Sequence, residues 1–447
     1  MNVPQSKKER TVLIAILVAS IVMSIAYSFY FRIPPAVDAR AYDTIAEHLV
    51  QGVGYRESLE GPLENDNAIA RVGPGYEFFL AGVYSIFGHH YEIVWLLQAL
   101  VLAGSAWLTW LLTKEIFGDQ WRLATGVTAT VLVGFSPDFI TTQAMLLTET
   151  LGVCLMLLAV WMFFRFLRDN RRHTVLLWLI GFAISWAVAV LVRTPTLFII
   201  IPVGIFFLLG KRIKELFIVC AVSGLIFFPW TLRNWHVYHA FLPTNAAGPF
   251  NLIIGNHLGA SGEQDPYPLL DEKVKELGYL GAGHWATQEA RAFITQHPLE
   301  FFKVTIKRIS IYFSAARPTG FWFHLHGAAK AITLATSALY AGILFLLGFI
   351  GLLSARRLSS PYKNKAWLLA AMLFMMPLAT VFLVVETRYR FPVYPFFAVF
   401  AGYAASLFIR REIKFREALA VGIVFFGNTA ADIFLNLSRI FERFTHL

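Results

Sequence analysis

TVLIAILVASIVMSIAYSFYF, residues 11–31, contains no charged residue, and at about 20 residues a helical run of this kind crosses the ~30 Å hydrocarbon core of a bilayer. It follows Lys7, Lys8 and Arg10, is too long for the apolar core of a signal peptide, and lacks a small-residue cleavage site. It therefore reads as a retained signal anchor. Similar runs recur at 91–113, 121–137, 143–164, 174–192, 195–210, 214–231, 330–353, 366–385, 391–409 and 417–437. The expected fold is an all-α polytopic membrane bundle of about 11 transmembrane helices in a single membrane domain. Composition agrees: of 447 residues, 57% are hydrophobic and only 15% charged, which excludes an ordinary soluble globular protein.

The formal net charge of +10 does not point to nucleic acid, because the basic residues cluster at span ends and not on one soluble face. With the N-terminus in the cytoplasm, Arg165/Arg168/Arg171/Arg172, Lys211/Arg212/Lys214, Arg356/Arg357/Lys363/Lys365 and Arg410/Arg411/Lys414/Arg416 all fall on the same side. Parity then requires that the apolar segment 75–88 does not span, and its short length and aromatic content suit an interfacial helix. Two regions are left outside, 32–90 and 232–329, both expected to bear interfacial helices, with the C-terminal transmembrane helices in 330–447. Helix-like stretches are expected near 269–278 and 284–314. Cys154 and Cys220 both fall in spans, so no disulfide framework or cysteine metal motif is expected.

Ionisable residues are costly in hydrocarbon, so those placed where span ends meet the outer regions carry information. Asp38 follows Pro34 and Pro35, which end the first helix and leave the carboxylate at the lipid–water boundary. Tyr42, Ala46 and Leu49 then give a surface helix one apolar face, for which Asp38 could serve simply as a cap. Arg71 opens RVGPGYEFFLAG, with the alternative of a surface arginine that snorkels. Glu149 lies one or two turns into a span, where an unpaired carboxylate is unfavourable. Arg193, Arg233, Arg388 and Arg390 all stand at outer span ends, where the positive-inside bias leaves few basic residues. Guanidinium forks bind phosphate oxygens bidentately, so a phosphate at the outer leaflet would account for them.

Taken in order, these segments resemble the GT-C glycosyltransferases, in the bacterial branch related to protein O-mannosyltransferases and the lipid A aminoarabinose transferase. The resemblance rests on Asp38-Tyr42-Ala46 followed by Gly52 and Gly54, on RVGPGY, on Thr148-Glu149, on Arg193-Thr194-Pro195, on PWTLRNW before NLIIGNH, and on the late RYRFP. It implies Asp38 as the catalytic residue and Glu149 as a second acidic position. Some members carry Asp followed directly by Glu; Ala39 and Arg40 follow here, so Asp43 or Glu149 would have to supply any second acid. Tyr42, Asp43, Arg71, Tyr76 and Asn256 are the substrate-binding candidates. The implied donor is a polyprenyl-phosphate sugar, with a lipid, glycan or protein as acceptor.

Topology points to the same donor class, since nucleotide sugars are largely cytoplasmic and the candidate site faces outward. Dinucleotide, Walker A, HExxH and Cys-x-x-Cys motifs are absent from the sequence. No obligatory metal is expected, although histidines such as His89, His90, His257, His324 and His326 leave a divalent cation open. The expected location is a bacterial inner membrane, with the site facing the periplasm. Two rival readings remain. A transporter or flippase would favour inverted repeats, which the sequence does not show; the polar stripe Asn428, Asp432 and Asn436 reads better as a packing seam. A polysaccharide ligase or polymerase would share the lipid-linked donor.

Overall fold

The computed structural model describes residues 7–71, 73–118, 122–317 and 324–437. Each apolar run forms a helix, as backbone groups in hydrocarbon must be satisfied within their own segment. The first helix, α1 (Lys7–Phe31), stops before the two prolines, and the surface helix α2 (Asp38–Val50) follows. Next come α3 (Pro74–Phe87), α4 (Tyr91–Phe117), α5 (Arg122–Gly134), α6 (Pro137–Ala144), α7 (Thr148–Arg168), α8 (Arg172–Val192), α9 (Ile200–Leu209) and α10 (Ile213–Tyr238). Three helices, α11 (Ala247–Gly255), α12 (Pro268–Gln296) and α13 (Pro298–Tyr312), fill the central region before α14 (Gly327–Ala355), α15 (Tyr362–Val381), α16 (Tyr394–Ile409) and α17 (Phe415–Leu435). Among the described residues, nine helices are long and apolar enough to cross a membrane, or up to ten if one bent pair is a single span. The chain is an integral, multi-pass membrane protein.

The segments expected at 121–137 and 143–164 need correction. Helix α5 ends at Gly134, and α6 leaves it at a bend of 42°. Ser136 Oγ accepts from the Phe139 amide and Pro137 opens α6, so Pro137 cannot continue the ladder of α5 and the chain restarts. The next span accordingly begins at Thr148. The segment 195–210 is helical over Thr194–Leu209 but shorter than the spanning helices.

A large core of Phe, Leu, Val and small residues joins α4, α5, α7, α8, α14, α15 and α16. Two glycines allow backbones to meet there: a Cβ on Gly351 would strike the backbone of Phe400, and one on Gly402 the backbone of Thr125. Small residues at such crossings let helices associate where no hydrophobic force drives them together. A second cluster packs Tyr42 and Ala46 of α2 against Tyr76, Leu80 and Val83 of α3. This seats α2 and α3 as a layer across the end of the bundle. Elsewhere, Glu115 pairs with Arg165 and Arg168, and Glu417 with Arg356 and Arg357, so each carboxylate joins two arginines of one basic cluster.

The polar stripe of α17 is a packing seam. Asp432 takes two bonds from Arg317, at 2.8 and 2.7 Å, and Asn428 donates to the Ser310 carbonyl.

Candidate active site

Asp38 is the first residue of α2, after Val37, whose positive φ of 52° turns the chain onto the end of the bundle. It does not cap the helix. Its Oδ2 accepts from Arg388 Nη1 at 2.7 Å, and its Oδ1 lies 3.5 Å from Arg71 Nη1. Each arginine is held in turn by another carboxylate. Arg71 donates to both oxygens of Glu57 at 2.9 and 2.6 Å, and Arg388 Nε to Glu386 at 2.8 Å. Acid and base thus alternate from Glu57 through Arg71, Asp38 and Arg388 to Glu386.

The Asp38 side chain keeps 18% exposure, so the carboxylate can be reached from outside. Burial opposes its charge, but Arg388, Arg71 and Arg193 outweigh burial and hold the carboxyl below its usual range.

Beneath this row lies a second, drier pair. Glu149, in the first turn of α7, is 2.9 Å from Arg193 Nη1, with side chains 1% and 5% exposed. Arg193, just past the end of α8, also donates to Thr148 Oγ1 at 3.1 Å. A carboxylate in the first turn gains further from the positive end of the helix. The Arg193 guanidinium stands 6.0 Å from the ring of Tyr389, the residue next to Arg388, so the two pairs adjoin. Buried Tyr42 feels the charges of Asp38, Arg388, Glu77 and Glu149.

The other candidates lie apart from this cluster. Asp43 faces away from Asp38, where it accepts from Tyr84 and Tyr91, each at 2.6 Å, with His89 Nε2 at 2.9 Å. This fastens α2 to the α3–α4 junction. Tyr76 donates to Gln98, whose amide holds the carbonyls of Gln143 and Met145, and so braces the turn before α7. Arg233 donates to the Tyr55 carbonyl and sits against the rings of Tyr55, Trp230 and Tyr238 at 5.6, 5.1 and 5.3 Å.

Arg390 and Asn256 are turned toward backbone carbonyls. Arg390 is 1% exposed and gives its two Nη groups to the carbonyls of Ser314 and Arg317. Asn256 is fully buried, donates to Leu252 and Phe382 carbonyls, and accepts from Arg308. Both brace backbone, because a polar residue at a crowded helix end serves unpaired carbonyls first.

Reasoning from sequence did not single out Glu57, Glu386 or Glu77. Glu386 carries a signal, two residues before Arg388 in ETRYR; Glu57 carries none. Glu77 is fully buried on α3 and accepts from Tyr55 at 3.2 Å. Burial pushes its carboxyl up to about 8. Among the described residues, no group of three or more His, Cys, Asp or Glu is placed to hold a metal ion.

Residues 71–232 match the family model described as dolichyl-phosphate-mannose-protein mannosyltransferase. The structure superposes on the oligosaccharyltransferase of Archaeoglobus fulgidus in its apo form with a TM-score of 0.54, at 17% identity, over 96% of this chain and 55% of that one. The two chains share a fold. A structure of the archaeal oligosaccharyltransferase AglB from Archaeoglobus fulgidus, in complex with an inhibitory peptide and a dolichol-phosphate, gives a TM-score of 0.51 at 15% identity, covering 93% of this chain and 55% of that one. ArnT from Cupriavidus metallidurans bound to undecaprenyl phosphate gives 0.47 at 14% identity, over 88% of this chain and 59% of that one. The chain therefore spans little more than half the length of these structures. Comparison with curated proteins by sequence finds no match.

Proposed function

We propose that this protein transfers a sugar from a polyprenyl-phosphate donor to a lipid, glycan or protein acceptor, on the membrane face opposite its basic clusters. The observation that carries the reading is a single one: a reachable carboxylate, Asp38, held between Arg388 and Arg71 at the end of a GT-C bundle. The named partners of the similar structures, dolichol-phosphate and undecaprenyl phosphate, are of the same donor class. On the positive-inside reading that face is the periplasm or exterior of a bacterial inner membrane.

The chemistry follows from charge. A sugar on phosphate has a good leaving group, so the acceptor hydroxyl is the weak partner. Asp38 takes the hydroxyl proton as the oxygen attacks the anomeric carbon, general-base help worth on the order of 100- to 10,000-fold. The bond from the anomeric carbon to the phosphate oxygen breaks, and polyprenyl phosphate departs with its electrons. Arg388, with Arg193 behind it, stabilises the charge that develops on the phosphate.

The resting pair has a further consequence. While Arg388 holds Asp38, the carboxylate is a poor base; a donor phosphate that draws the guanidinium away restores its basicity. Activation thus accompanies donor binding. Arg71, fixed by Glu57, stays beside the carboxylate and keeps it oriented.

The test is transfer of radiolabelled sugar from a panel of polyprenyl-phosphate monosaccharides by the purified protein. Transfer or donor hydrolysis with one of them establishes the class and names the sugar. Silence with all, alongside intact binding of the lipid carrier, would replace it with a flippase or an oligosaccharide ligase.

A further inference from the structure

Helix α13 belongs to the central external region, for which interfacial helices are expected, and its surface divides into three faces. At ~100° per residue, Val304, Thr305, Arg308, Ile311 and Tyr312 point one way and are buried against the protein. On another side, Leu299, Phe302, Ile306 and Ile309 form one stripe, exposed by 74, 62, 50 and 40%. Glu300, Lys303 and Lys307 lie between the two. A helix lying wholly in water has no use for the second face; one at a bilayer surface needs all three.

Its depth is set by its neighbours. Phe313, directly after α13, packs against Phe345 and Phe349 of α14 and Phe397 of α16, with ring centroids 5.8, 5.5 and 6.2 Å away. All three lie within segments long and apolar enough to span. At the other end Phe301 stacks on Phe382, next to the end of α15, at 6.4 Å. The flanking helix α17, bonded to Ser310 through Asn428, has only 11% of its apolar window buried. The stripe is therefore continuous with surfaces that face lipid.

We propose that α13 lies half-immersed in the leaflet on the site's side, its Leu299–Phe302–Ile306–Ile309 stripe against acyl chains and its Glu300–Lys303–Lys307 edge in water. The same helix supplies Arg308, which holds the carbonyls of Gly255 and Val381 and the Asn256 side chain. The bilayer surface thereby sets the level of the loop next to Val385, which bonds to Gly262 just before the Arg388 segment. The inference does not depend on which reaction the protein performs.

The test uses full-length protein, with Cys154 and Cys220 replaced by serine, in phospholipid vesicles. Nitroxide labels are placed singly through Phe302→Cys, Ile306→Cys, Glu300→Cys and Lys303→Cys. Labels at 302 and 306 should collide readily with oxygen and poorly with a water-soluble nickel chelate, with the reverse at 300 and 303. Equal nickel access at all four would overturn the proposal. Should the serine background fail to fold, wild-type protein in vesicles doped with a photoreactive-chain phospholipid replaces it. Adducts at 299, 302, 306 or 309 are expected; labelling of α17 with none on 298–312 would overturn the proposal.

Discussion

Arg388 and Asp38 are 350 residues apart in sequence and 2.7 Å apart in space. The contact brings the end of the first span to the start of the penultimate one, and it places a guanidinium where a phosphate is expected. The Arg388→Ala variant should lower the transfer rate on the order of 100- to 1,000-fold, the usual effect of removing one group that stabilises developing charge. Arg388→Lys should restore only part, as an ammonium lacks the fork. Initial rates at saturating donor decide it; a rate within a few-fold of wild type for the alanine variant would remove Arg388 from the site.

Glu149 and Arg193 form a buried pair, so removing one partner leaves a charge without compensation. Arg193→Ala should destabilise the protein by about 3–5 kcal/mol, read from thermal unfolding in detergent. The double variant Glu149→Leu with Arg193→Met should recover most of that stability. If the pair also serves the reaction, transfer stays low in the double variant although the fold has recovered. Full activity there would make the pair purely structural.

Asp38 and Glu77 should respond to pH in opposite directions. The Asp38 carboxyl is held below its unfolded value, so its ion pairs stabilise the fold above the usual carboxylate range and are lost as pH falls through its lowered folded value. Glu77 rises from 4.5 to about 8, so the folded state binds the extra proton and stability declines as pH rises across that window. Glu77→Gln should flatten the decline between pH 4.5 and 8. An unchanged slope in the variant would show that Glu77 ionises normally.

The proposed step uses side chains alone. Exhaustive chelation, followed by transfer assays with and without added magnesium, manganese or zinc, should leave the rate unchanged. Loss on chelation with recovery on adding one ion would require a metal that the described carboxylates and histidines do not gather.

Most of the spans and the helices that follow Pro35 and Gly73 were legible because hydrophobic period and charge asymmetry are properties of single segments. Asp38 and Arg388 were visible as polar residues at span ends, and Arg71 as one at the entrance to α3. What remained hidden was direction. Arg388 and Arg390 are two residues apart in a 3-10 segment, at ~120° per residue, so they point to different sides; only Arg388 reaches Asp38. Asp43 turns away for a similar reason, on another face of α2. The break between α5 and α6 was masked because Ser136-Pro137 sits inside a stretch whose mean apolarity hardly changes.

Whether the Asp38 carboxylate performs the proton transfer is decided by the transfer rate of Asp38→Asn beside wild type, with matched membrane insertion and donor binding. Asparagine fits the same space and keeps a carbonyl for the arginines, but it cannot take a proton. Turnover should fall by about 100-fold or more, while the polyprenyl-phosphate donor still binds. Near-normal turnover by the asparagine variant would contradict that role for Asp38.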